Sequence, residues 1–145
     1  MKRSQLASVA ALTGVFVLFA GCNPEHELSP RHAASGSVTH DGQPLASGTI
    51  VFESTADLSK GLPPTSAPIV NGQYEIQASA GMNVVRINAP KEATDESGMT
   101  VAEETIPAKY NSESELAAEV AAGGATTKDF ALTGKVEKPK NPKKP

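Results

Sequence analysis

Ser66-Ala67-Pro68-Ile69-Val70-Asn71-Gly72-Gln73-Tyr74-Glu75-Ile76 is the stretch on which the fold turns. Asn-Gly is the dipeptide favoured by a two-residue type I′ turn, which needs positive φ at both central positions. Beyond it, Tyr74 and Ile76 alternate with Gln73, Glu75 and Gln77, the period of two of a half-buried strand. Ser66 to Val70 and Gln73 to Ile76 therefore read as one hairpin. Upstream, Thr49 to Glu53 is a strand with Ile50 and Phe52 on one face. Before it, Gly36 to His40 ends in a second tight turn at Asp41-Gly42, and Pro44 keeps Gln43 to Leu45 out of a central strand. Downstream, Asn83 to Ala89 sets Val85 and Ile87 against Val84 and Arg86. Leu116 to Val120 and Thr127 to Leu132 follow, with Phe130 and Leu132 facing inward. A helix over Glu113 to Ala122 is the alternative there, since Ala and Glu favour helices; the Gly123-Gly124 stop and the missing apolar stripe favour a strand. Short strands punctuated by turns over about 100 residues predict an all-β fold, an antiparallel seven-stranded β-sandwich. Lys91 to Glu104, polar and acidic, is expected to be its mobile loop.

The two ends carry different signals. Lys2 and Arg3 precede a run from Leu6 to Ala20 that is apolar except for Ser8 and Thr13, and small residues lead into Cys22. That order describes a secretory signal over residues 1–21, and the run is short for a membrane span of roughly 20 residues. An uncut anchoring helix is the alternative. Cys22 is the only cysteine, so no internal disulfide can form. An unused thiol in an exported protein is reactive, and its place right after the apolar run suggests a purpose. Residues 22–34 hold two prolines and little apolar content, and are expected to be a flexible tether containing His26 and His32. Residues 135–145 hold five lysines and three prolines, and are expected to be a disordered tail. The folded domain is placed at 35–134. From Cys22 to Gly134 there are 15 acidic and 6 basic residues, which argues against a nucleic-acid partner.

Leu18-Phe19-Ala20-Gly21-Cys22 resembles the lipobox of bacterial lipoproteins. The resemblance implies cleavage before Cys22, a diacylglycerol on its thiol and a membrane as partner; Phe19 stands where Leu is more usual. Asn23 is compatible, by the same resemblance, with sorting to the outer membrane. Gly36-Ser37-Val38-Thr39-His40-Asp41-Gly42-Gln43-Pro44-Leu45, then Gly48 to Phe52, resemble the opening of carboxypeptidase-regulatory-like domains, and Val70 to Ile76 resembles the family's next hairpin. Those domains have a transthyretin-like sandwich and carry no catalytic residues. Ala80 to Ile87 is similar to the family's Gly-x-Tyr-x-Val strand, with Asn83 and Val84 replacing the aromatic. Ile106-Pro107-Ala108-Lys109-Tyr110-Asn111 and Asp129 to Leu132 resemble small lipoproteins built on this domain.

Chemistry-bearing motifs are scarce. Three histidines, two of them in the tether region, do not make a zinc site, which needs three or four ligands on rigid elements. No nucleophile elbow, P-loop or zinc-protease helix is present. The chain also lacks the Tyr-Arg-Gly-Ser ending of transthyretin-like hydroxyisourate hydrolases. A Lys in the first strand and an Asn in the last, which isopeptide-forming adhesin domains require, are missing too. The expectation is a non-enzymatic, lipid-anchored envelope module without cofactor or metal, whose partner is an envelope protein or glycan. The alternative is a calcium- or glycan-binding lipoprotein. Glu92, Asp95, Glu96, Glu103 and Glu104 offer hard oxygen ligands, and Tyr110 is the one candidate for an exposed ring. Asp95, Glu96 and Tyr110 are thus the candidate ligand-binding residues, and Cys22 the lipidation site. A hydrolase is the remote third reading, to be revived by His40 beside a carboxylate and a cleft.

Overall fold

The computed structural model describes residues 29–136. Cys22, the signal segment and most of the lysine-rich tail lie outside them. In chain order the strands are β1 Arg31–His40, β2 Gln43–Pro44, β3 Ser47–Ser54, β4 Thr65–Val70, β5 Gln73–Ser79 and β6 Gly81–Asn88. They continue with β7 Pro90–Thr94, β8 Thr100–Glu104, β9 Ala117–Val120, β10 Thr126–Thr127 and β11 Phe130–Leu132. A single helical turn, α1 Thr55–Leu58, follows β3, and a 3₁₀ turn covers Ala108–Tyr110.

The fold is all-β and mostly antiparallel, as the alternation predicts. The described residues form more strands than seven, because several short pairings leave little trace in the sequence. The main sheet runs β10-β1-β5-β4-β3-β6-β9 and curls on itself, with β2 and β11 added along the last part of β1. β1 is shared between two sets of partners. Its first seven residues pair antiparallel with β5, from Arg31 opposite Ser79 to Ser37 opposite Gln73. Its last three pair parallel with β11, from Val38 opposite Phe130 to His40 opposite Leu132.

Both expected turns are type I′ in conformation. φ is 50° at Asp41 and 80° at Gly42, and 50° at Asn71 and 75° at Gly72. The inward residues form one core, in which Ile50, Phe52, Ile69, Tyr74, Ile76, Val85, Ile87, Phe130 and Leu132 are buried. Phe52, Tyr74 and Phe130 stack through it with successive centroids 6.1 Å apart, within the range of favourable tilted aromatic pairs. The Tyr74 hydroxyl donates to the Lys128 carbonyl at 2.7 Å, so the ring's polar end is satisfied inside. Burial, then the nearby Asp129 charge, pushes the Tyr74 phenol up to about 12.

Two expectations need correction. Strand β1 begins at Arg31, inside the stretch read as tether, because β5 continues past Ile76 to Ser79 and supplies pairing partners. His32 is accordingly a strand residue. Lys91 to Glu104 is not an irregular loop: β7 and β8 make a separate two-stranded ribbon, with Lys91 opposite Glu103 and Thr94 opposite Thr100. Its residues are exposed on both faces, so no apolar alternation marks it. The strand favoured over a helix within Glu113 to Ala122 is present as β9, paired with Gly81 to Val84.

Candidate functional site

The strand registers sort the molecule into two ends. Arg31, Ser79, Gly81, Ser54 and Val120 lie at one end. His40, Gln73, Ser47, Asn88 and Leu132 lie at the other. A ten-residue strand separates them by about 30 Å at roughly 3.3 Å per residue. The chain enters the domain at the first end. The ribbon and the departing C-terminal segment sit at the second.

The entry end is built around a buried carboxylate. Asp57, in α1, is 2 % exposed. It accepts from the Ser29 hydroxyl at 2.6 Å and from the Ser79 hydroxyl, and Arg31 Nη1 lies 3.5 Å away. Ser54 caps the turn by accepting from the Asp57 backbone N–H at 3.4 Å. Burial alone would raise the carboxyl's pKa. The Ser29 and Ser79 hydroxyls, then the Arg31 and Lys60 charges, outweigh burial and hold it below the ordinary value. Beside this group Asn83 is buried, donating to the Ser79 and Gly81 carbonyls at 3.0 and 2.9 Å. Its Oδ1 has no partner among the described residues.

The opposite end carries the three ligand candidates, and Asp95 and Tyr110 each have a structural task. Asp95 Oδ1 accepts from the backbone N–H groups of Ser97 and Met99, both at 2.9 Å, which closes the β7–β8 turn. Glu96 is exposed in that turn. Tyr110 is half-buried against the core. Its hydroxyl accepts from the Thr133 N–H at 3.1 Å, and Lys109 Nζ covers the ring at 4.7 Å from the centroid. The bonds to Thr133, with Lys109 adding to them, lower the Tyr110 pKa.

The acidic residues of the ribbon do not converge. Residues directly opposite in a ladder share a face, and successive residues alternate. The register therefore puts Glu92 and Glu104 on one face and Glu103 on the other, across from Lys91. Glu104 Oε1 is occupied by three backbone N–H groups, of Ala89, Thr105 and Ile106, at 2.8, 2.9 and 3.0 Å. This anchors the root of the ribbon. Among the described residues no group of three or more His, Cys, Asp or Glu is placed to hold a metal ion.

His40 does stand beside a carboxylate and a cleft. Its Nε2 is 3.8 Å from Asp41 Oδ2, and a cleft of about 340 Å³ lies between it, Pro44, Leu45, Lys91 and Thr105. The polar groups there serve the fold. His40 Nε2 donates to the Gly134 carbonyl at 2.8 Å, and Asp41 Oδ1 accepts from the Gly134 N–H at 3.0 Å. The Thr105 hydroxyl donates to the Ala89 carbonyl at 2.6 Å. The first two bonds pin the segment leaving β11 to the first turn, and the third ties the two roots of the ribbon together. On the outer face of β3 and β6, Arg86 pairs with Glu53 at 2.9 Å and donates to the Asn111 and Ser112 carbonyls. That fixes the loop bearing Tyr110.

The Asp57 group escapes a reading of the sequence because Ser29 and Arg31 are far from it along the chain. Ser54 followed three residues later by Asp57 is the local signal of a helix-start box.

No protein-family model and no curated protein sequence matches this chain. Among solved structures it is similar to a 9R-lipoxygenase from Cyanothece PCC8801, with 14% identity and a TM-score of 0.37. The match covers 72% of this chain and 16% of the lipoxygenase chain.

Proposed function

We propose that the protein is an exported lipoprotein, held on a membrane by a lipid on Cys22, whose β domain is a non-catalytic interaction module. The observation that carries this reading is the separation of the two ends. The chain coming from Cys22 enters at the Asp57 end. The exposed ribbon, the Tyr110 loop and the lysine-rich segment leave from the opposite end, about 30 Å farther on. A module so oriented holds its most exposed element away from the anchoring surface. The ribbon's exposed Met99 and Val101 and its two open strand edges suit contact with an envelope partner. The lipobox-like Leu18 to Cys22 and the resemblance to carboxypeptidase-regulatory-like domains support the same reading.

The test is to change Cys22 to Ala and fractionate cells expressing either form. The wild-type chain is expected in the membrane fraction and the variant is not. Retention of an unlipidated Cys22→Ala chain by the membrane at wild-type level would sink the proposal.

A further inference from the structure

Strand β1 is held in two very different ways along its length. From Gly36 onward it is locked. A Cβ at Gly36 would fall 1.9 Å from the Lys128 carbonyl oxygen, so the backbones touch there. Ser37 gives its N–H and hydroxyl to Asp129 Oδ1 at 2.7 and 2.8 Å, and Val38 is fully buried.

Residues 29–34 are attached otherwise. Of Arg31 to Ala34 only Ala34 is buried, so little apolar area holds the segment down. Its attachments are polar: the ladder to β5, the pairing of Ala34 with Thr126 of β10 on the other edge, the His32 Nδ1 that accepts from the Gly123 N–H at 3.0 Å, and Asp57. Asp57 binds both walls of the joint. It takes Ser29 and Arg31 from the arm and Ser79 from β5. The arm's own residues thus supply two of the groups that compensate a buried charge. Polar attachments over little buried area mark the low-stability end of a fold, where local opening begins.

We propose that residues 29–34 are a detachable latch, with the Asp57 carboxylate as its catch and Ser35, just before the locked part of β1, as the hinge. The inference rests on the lipid-anchor reading for its use. Latched, the six residues from Asn23 to Leu28 span at most about 20 Å between Cys22 and the domain. Unlatched, residues 29–34 join them and the reach rises to about 40 Å. The domain then has two working distances from its membrane. A pull on the ribbon end favours the longer one, because detaching the arm leaves the rest of the core in place.

Hydrogen exchange on the full chain, resolved by segment, tests this. In Asp57→Asn the arm amides 31–35 are expected to exchange about tenfold faster or more, as loss of a charged hydrogen-bond partner implies. Residues 48–52 and 84–87 should keep wild-type rates. Ser29→Ala with Arg31→Gln leaves Asp57 in place, so it serves if the first variant folds poorly, and it should open the same segment. Equal acceleration in all segments would make Asp57 an ordinary core residue and overturn the latch. So would an unchanged arm in both variants. Neither result bears on lipidation, which the Cys22→Ala fractionation decides separately.

Discussion

Gly42 and Gly72 occupy equivalent positions in two turns of the same type, with φ of 80° and 75°, yet replacing each by Ala should differ sharply in cost. A Cβ in left-handed backbone costs about 1–2 kcal/mol. Reduced freedom of the unfolded chain returns about 0.4–1 kcal/mol. Gly42→Ala meets nothing within 4 Å, so it should destabilise by only about 1 kcal/mol. Gly72→Ala adds a Cβ 2.7 Å from Pro44 Cβ and 3.2 Å from the Val38 carbonyl oxygen. Neither neighbour yields easily. Val38 accepts from the Leu45 N–H at 3.0 Å, and Gly72 itself donates to Leu45 and accepts from Val38, both at 2.8 Å. Overpacking of this kind adds about 1–3 kcal/mol, for a total of roughly 2–4 kcal/mol. Urea unfolding of the two variants beside the wild type measures the difference. In thermal melts Gly42→Ala should lower Tm by about 4–8 °C and Gly72→Ala by more than about 10 °C. Equal losses would refute the claim that the Asn71-Gly72 turn is packed on Pro44, and with it the way β2 closes this end of the domain.

The two tyrosines should titrate apart in ultraviolet absorbance. Tyr110, favoured as phenolate by its bonds to Thr133, ionises below the usual value, and Tyr74 near 12. Because the Tyr74 pKa is raised on folding, its contribution is complete below pH about 10 and is lost as pH climbs towards the folded value. Tyr110→Phe should leave only the high step. Glu104→Ala removes the acceptor of three backbone N–H groups at the ribbon root. It should cost about 1–2 kcal/mol and speed proteolysis at Asp95 to Met99, whereas equal nicking of both proteins would deny Glu104 that task. Millimolar Ca²⁺ should move Tm by less than about 1 °C, because the ribbon carboxylates do not converge and Asp95 and Glu104 already accept from backbone N–H groups. A rise above about 4 °C, the scale of about 1 kcal/mol for such a domain, would restore a calcium site.

The parts of the fold legible in the sequence are those where one face of a strand is buried. Tyr74 and Ile76, Val85 and Ile87, and Phe130 and Leu132 all write their burial as alternation. The ribbon is illegible for the converse reason. Pro90 to Thr94 and Thr100 to Glu104 bury neither face, so a regular strand there looks like a polar loop. The early start of β1 is hidden because Arg31 to Ala34 pairs through its backbone while burying a single alanine. The candidate ligand residues were chosen by type, as carboxylates and an aromatic. What type cannot reveal is prior commitment, here of Asp95 to its own turn and of Tyr110 to Thr133. Asp57 is the reverse case. It is unremarkable by sequence, and its importance comes from partners supplied by distant parts of the chain.

The most direct test of the central claim is the intact mass of the protein extracted from the membranes of the cells that make it. The account predicts a chain beginning at Cys22 and heavier than its residues by a diacylglycerol with or without a further acyl group. A chain that retains Met1, or one that begins elsewhere with an unmodified Cys22, would contradict it.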